Sequence, residues 1–236
     1  MIRFFTMPLR RPVAALALLM AAPALSVPAQ ASVYVDSKLV DLTPAERVTV
    51  VNPQPVQMLV EFQTAGVPNA KATKYVKKLV LDELTAGKMV GAVSDTPLPS
   101  GARLEITMND IPDKNAAGKG FAAGLTFGLA GVVAGDTYDV TINYIPAAGT
   151  AGISKIEHYR IVFKFGNKTL PPDLVKAKGM VEAVQSMVHL TLSHGLNEIA
   201  ADPAFAAISP VTLPAAPPAP APAATPATAA TPAPVS

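Results

Sequence analysis

Four stretches of the chain alternate apolar and polar residues with the two-residue period of a half-buried strand. Val56, Met58, Val60 and Phe62 alternate with Gln57, Glu61 and Gln63, and Leu59 breaks the polar side. Leu104, Ile106 and Met108 alternate with Arg103, Glu105, Thr107 and Asn109. Tyr138, Val140, Ile142 and Tyr144 alternate with Thr137, Asp139, Thr141 and Asn143. In the stretch Ile153 to Phe165, Tyr159, Ile161, Phe163 and Phe165 point one way, and His158, Arg160 and Lys164 the other. Val48 to Val51 reads as a shorter strand, with Pro53 and Pro55 beyond it marking an edge or a crossing bend. Apolar-in, polar-out alternation in successive strands predicts an antiparallel sheet with one wet face.

Two stretches have helical spacing. Asn69 is placed as an N-cap, and Ala72, Tyr75, Val76, Leu79, Val80 and Leu84 form a stripe that ends at Gly87. Lys71, Lys74, Lys77 and Lys78 share the opposite side. They read either as a solvated face or as a weak basic surface for anionic lipid. A second helix is expected from Pro172-Asp173, because proline and an acid both suit a first turn. Its stripe runs through Ala177, Val181, Val184, Val188, Leu192 and Ile199, with Met180, Met187 and Leu196 beside it. Gly179 and Gly195 weaken it by about 1 kcal/mol each relative to alanine and predict a bend. The expected architecture is α+β, an antiparallel sheet with one face covered by two amphipathic helices.

Between the second and third alternating stretches lies GFAAGLTFGLAGVVAG, Gly120 to Gly135, sixteen residues with no charge and one hydroxyl, Thr126. On a helix Gly120, Gly124 and Gly128 would share a face and form a groove for close backbone approach. Sixteen helical residues cover about 24 Å, short of a hydrocarbon core of about 30 Å, which argues against a spanning helix. Three readings stand. The segment is a glycine-rich apolar helix or hairpin buried in the domain, an element dipping into a membrane leaflet, or a self-association face. Gly120, Phe121, Gly124, Phe127, Gly128 and Leu129 are its candidate contact residues for a membrane or a partner.

The termini set the compartment. Arg3, Arg10 and Arg11 precede an uncharged apolar run from Pro12 to Leu25 and the small-x-small site Ala29-Gln30-Ala31. This is the layout of a signal peptide cleaved after Ala31 and predicts a periplasmic protein. Residues 32–209 are expected to form a single α+β domain. The 27 residues from Pro210 to Ser236 hold nine prolines, ten alanines and no charge, and read as a disordered Pro/Ala-rich tail near polyproline II.

The chain has 236 residues and a net charge of +2. The first 31 residues hold three of the arginines and no acid, leaving 16 basic and 17 acidic side chains, so no cationic surface argues for nucleic acid. With no cysteine there is neither a disulfide framework nor a lipid-bearing thiol.

The motif Gly124-Leu125-Thr126-Phe127-Gly128-Leu129 followed by Asp136-Thr137-Tyr138-Asp139-Val140-Thr141 resembles a pattern in uncharacterised bacterial envelope proteins, many of them lipoproteins. Pro55 to Gln63 followed by Gly66-Val67-Pro68-Asn69-Ala70 is similar to the same group, so the resemblance spans roughly Val51 to Tyr144. It implies an envelope setting and no activity. The chain departs from the lipoprotein members in lacking their anchoring cysteine.

Catalytic signatures are missing from the sequence. There is no G-x-S-x-G and no Walker-type loop. Asp82-Glu83 falls on a helix rim, and Asp110 and Asp113 flank Pro112 in what reads as a turn. His189 and His194 lie five apart, so on a helix their rings point in different directions, whereas His194 and Glu198 share a face. No metal, cofactor or enzymatic activity is expected. The leading expectation is a noncatalytic periplasmic envelope protein, a structural or interaction module meeting a membrane surface, a partner or its own copy. The alternative is a small-ligand or lipid-binding protein, with Met180, Met187 and Phe127 lining its cavity.

Overall fold

The computed structural model describes residues 32–113, 132–165, 168–209 and 211–212. In chain order they form β1 (Ser32–Asp36), β2 (Thr49–Val50), β3 (Val56–Thr64), β4 (Val67–Pro68), α1 (Ala70–Gly87), β5 (Val93–Ser94), β6 (Arg103–Pro112), β7 (Val132–Ile145), β8 (Ile153–Phe165), β9 (Leu174–Ala177), α2 (Met180–Ala201), α3 (Pro203–Ala206) and β10 (Val211–Thr212). The architecture is α+β. The large sheet runs β4-β3-β6-β7-β8-β1-β9, with β5 also paired to β3, and β2 pairs with β10 in a separate ribbon.

The alternation places the inner face as expected. Val56, Met58, Leu104, Ile106, Met108, Val140, Ile142, Tyr159 and Ile161 are all buried. They share one core with Val76, Val80 and Leu84 of α1 and with Met187, Val188, Leu192, Leu196 and Ile199 of α2. Tyr75 departs from its predicted stripe and is 41% exposed.

The sheet is mixed, which corrects the all-antiparallel expectation. β3 and β6 run parallel from Gln57–Arg103 to Thr64–Asp110, while β6–β7, β7–β8, β8–β1 and β1–β9 are antiparallel. A parallel pair needs a crossover, and α1 supplies it. The helix starts where Asn69 Oδ1 accepts the Ala72 N–H at 3.1 Å. It stops at Lys88, which takes a left-handed conformation after Gly87. Between β3 and β4 the two-residue turn has positive φ at both Ala65 and Gly66, the primed geometry that matches strand twist.

The second helix begins later than expected. Leu174–Ala177, read as its first turns, is strand β9, hydrogen-bonded to β1 through Val33–Ala177 and Val35–Val175. Gly179 is the N-cap residue and lies outside the helix. Gly195 sits where α2 approaches β7, since a Cβ there would run into Ile142 Cδ1. Of the glycine-rich stretch, Val132 to Gly135 are the first residues of β7, paired with Phe165 to Val162, and so are strand and not helix. Gly120, Phe121, Gly124, Phe127, Gly128 and Leu129 lie outside the described residues. Val211 and Thr212, just past the expected end of the domain, pair with Val50 and Thr49.

Candidate functional site

Strand β6 does not turn at Asp110. It carries the inward series Leu104, Ile106, Met108 one step further, so Asp110 points into the core at 6% exposure. That overturns the turn reading of Asp110 and Pro112, because pairing with β7 continues to Pro112–Asp136. Asp110 stands opposite Thr64 of β3 and Tyr138 of β7. Asp136, two residues along β7 from Tyr138, faces the same side. Asp113 N–H reaches back to the Gly135 carbonyl at 3.3 Å and closes this end of the ladder.

The polar atoms here are poorly served. Asp110 Oδ1, Thr64 Oγ1 and, on the neighbouring strand, Tyr159 Oη are out of reach of solvent and have no hydrogen-bond partner. Burial pushes the Asp110 carboxyl up to about 7, and the charge of Asp136 adds to the shift. Burial also raises Asp136, opposed by the Asp113 backbone N–H and reinforced by the Asp113 charge. The Tyr138 phenol is driven up by burial and then by Asp110 and Asp136. Burial lifts Tyr159 to about 12, with a contribution from Asp36. Chemically, the cluster is a carboxyl that exchanges its proton near neutral pH inside an apolar sheet face. Among the described residues, no three His, Asp or Glu side chains converge as a metal-holding group.

A second polar cluster lies on the far side of α2. His189 Nδ1 is 2.8 Å from Glu83 Oε2 of α1, and its Nε2 is 2.5 Å from Asp41 Oδ1 in the connection between β1 and β2. His194 Nε2 donates to the Val40 carbonyl of the same connection at 2.7 Å. The two rings, expected to diverge, therefore engage one segment. Glu198 acts instead near Glu157, whose carboxyl is raised by burial first and by Glu198 second. Asn197, which sequence reasoning missed, accepts from Val48 N–H at 2.7 Å and donates to the Glu46 carbonyl at 3.1 Å.

Of the lysines on α1, Lys71, Lys74 and Lys78 are exposed and Lys77 is half-buried. Lys77 pairs with Asp95 at 2.8 Å and Lys78 with Asp82 at 2.6 Å, so acids partly neutralise the basic face. His158 meets Asp139 across β7 and β8 at 2.7 Å. Met187 is fully buried in the core, and neither it nor Met180 lines the groove at the end of α1. The described cavity is a groove of about 460 Å³ between the end of α1 and the following loop, lined by Pro53, Leu81, Leu84, Lys88, Val90 and Val93 among others. Among the described residues no helix is long and apolar enough to cross a membrane.

No family model matches the chain. No curated protein matches it either. Among solved structures it is similar to the PelC dodecamer from Paraburkholderia phytofirmans, at 10% identity over 64% of this chain and 95% of that chain, with a TM-score of 0.27.

Proposed function

We propose that this protein is a noncatalytic component of the bacterial cell envelope, exported to the periplasm, which meets a membrane or a partner through its glycine-rich apolar stretch. The contact residues are Gly120, Phe121, Gly124, Phe127, Gly128 and Leu129. One observation carries the reading. The β6–β7 ladder is unbroken from Arg103–Ile145 to Pro112–Asp136, and the stretch from Gly120 to Gly131 belongs to the connection that leaves at Asp113 and re-enters at Val132. The sheet thus holds both ends of a connection whose later part, from Gly120 on, carries no charge, and exposing that part to water would be unfavourable. In this reading the two long helices close one face of the sheet, and the proline-rich tail is a spacer.

The test is flotation of the exported form with phosphatidylethanolamine–phosphatidylglycerol vesicles, together with sizing in solution. Wild type is expected to float or self-associate. Phe121→Ser combined with Phe127→Ser and Leu129→Ser should do neither while keeping its circular dichroism spectrum. A wild-type monomer that never floats overturns the proposal. The groove beside Leu81, Leu84 and Val90 supports a second reading, a carrier of a small apolar ligand, because its volume lies in the range of ligand sites. Retention of a lipid in native mass spectra, lost in Leu81→Asp, would favour it.

A further inference from the structure

The connection between β1 and β2, residues 37–48, has no strand or α-helix of its own among the described residues, yet its backbone is held in place. Asp173 holds its start, through the Ser37 N–H at 3.0 Å and Lys38 at 3.4 Å, and helix α2 holds the rest. His194 takes the Val40 carbonyl, and Asn197 takes both the Val48 N–H and the Glu46 carbonyl. Glu46 in turn accepts from Thr43 N–H and Oγ1 at 2.8 Å each, which braces the middle of the strap locally. Leu39 packs against the core from beneath the strap. One anchor is different in kind. His189 joins the strap to α1 as well as to α2, through a carboxylate on each ring nitrogen.

That arrangement fixes a protonation state. An ionised carboxylate only accepts, so both ring nitrogens must carry a proton, and the bridging ring is an imidazolium. Losing one proton leaves a lone pair facing a carboxylate oxygen, and one of the two contacts must open. Asp41 is the one free to leave: its side chain is 68% exposed and rides on the strap, whereas that of Glu83 is 32% exposed and fixed on α1.

The geometry points to a pH-operated latch, in which the His189 imidazolium fastens the 37–48 strap to the helical layer and the neutral ring lets it go. The facing ionisable groups are Glu83 from α1 and Asp41 from the strap. Next to Glu83 on α1, Asp82 is occupied by Lys78 one turn back. Further along α2, His194 sits near Glu46, whose carboxyl is lowered chiefly by its Thr43 hydrogen bonds, and near Glu157, where it opposes the rise that burial causes. Burial of His189 alone would disfavour its cation, but the hydrogen bonds and charges of Glu83 and Asp41 outweigh it and raise the ring above its ordinary value. The latch is therefore closed at and below that ordinary value, about 6.5, and slackens as pH rises through the raised one.

The test follows the His189 Cε1–H resonance and the hydrogen-exchange protection of amides 38–48 in the full chain across pH 5 to 9. His194→Gln removes the other ring beside the strap; it assigns the His189 resonance by difference, and, although it loosens the Val40 anchor, the pH dependence of strap protection should survive it. Protection of the strap, corrected for intrinsic exchange, should fall with the same midpoint as the His189 resonance. Asp41→Asn keeps an acceptor and removes the charge, so it should lower that midpoint and abolish the pH dependence of protection. The two effects are one coupling read from both ends, so each unit of midpoint lost should match about a tenfold change in strap opening. A strap whose protection is unchanged across the His189 titration, or a His189 that titrates at or below about 6.5, overturns the latch. So does an Asp41→Asn chain that keeps the wild-type pH dependence.

Discussion

Replacing Gly195 by alanine sets two effects of known size against each other. In a helix interior alanine is favoured over glycine by about 1 kcal/mol. At this position, however, the new methyl would occupy the space of Ile142 Cδ1, with Glu157 Cγ 3.4 Å away. The obstructing atom is the end of a side chain, and such an atom can often swing aside. Here Ile142 is fully buried on β7, under α2, so a new rotamer must find room in a filled core. Overpacking of that kind costs about 1–3 kcal/mol, and the sum is a net loss of about 1 kcal/mol. The partner change decides the matter. Ile142→Val deletes the Cδ1 methyl and alone should cost about 0.5–1.5 kcal/mol. In the double variant the alanine methyl fills the space just vacated, so the helix gain survives and the overpacking does not. The coupling should be favourable by about 1–2 kcal/mol, well outside the ~0.5 kcal/mol scatter of independent sites. Urea unfolding of the four proteins measures it, provided the denaturant slope is common to all. Additive effects, or a Gly195→Ala chain more stable than wild type, would refute the claim that helix and sheet touch here through the missing side chain.

Two further outcomes rest on single residues. Asp110 holds its proton up to about 7 in the fold, against an ordinary 3.8; folding therefore takes up a proton between those values, and stability declines as pH climbs through them. Asp110→Asn should flatten that decline in urea midpoints measured from pH 4 to 8, leaving the part due to Asp136, and parallel wild-type and variant curves would contradict the assignment. Asn69→Ala should lose about 1 kcal/mol of cap energy, a melting shift of roughly 2–4 °C for a domain of this size, whereas Asn69→Ser should melt close to wild type.

Alternation made β3, β6, β7 and β8 legible, since it records which side of a strand is buried. It carries no information on direction, so the parallel pairing of β3 with β6 escaped it. The order strand, helix, strand around α1 was the available signal, because a helical crossover is how parallel neighbours are joined. Strand β9 was hidden differently. Pro172-Asp173 has the chemistry of a helix start, and Ala177 falls in phase with Val181 and Val184. Nothing local reveals that β1 has an unpaired side that Leu174–Ala177 fills. Helix α2 shows a diffuse stripe because the sheet, α1 and the 37–48 strap all pack around it, and buried positions such as Ala183, Leu190, Thr191 and Ala200 surround its axis.

Asp110 shows how a site can be written in a pattern and still be passed over. Its type, beside Pro112 and ahead of Asp113, argues for a turn. Its position argues the opposite, for it continues Leu104, Ile106 and Met108 at the same period, just as Asp136 continues Tyr144, Ile142, Val140 and Tyr138 in reverse. Composition and periodicity conflict at both positions, and the ladder resolves them in favour of periodicity: β6–β7 hydrogen bonding extends over the polar residues as well as the apolar ones. A carboxyl kept in an apolar register with a buried oxygen unpartnered is unfavourable unless it is neutral or used. The proton that Asp110 retains near neutral pH is the fold's means of tolerating it. The same conflict between residue type and strand period, met in another chain, is thus a sequence-level sign of a buried titrating group.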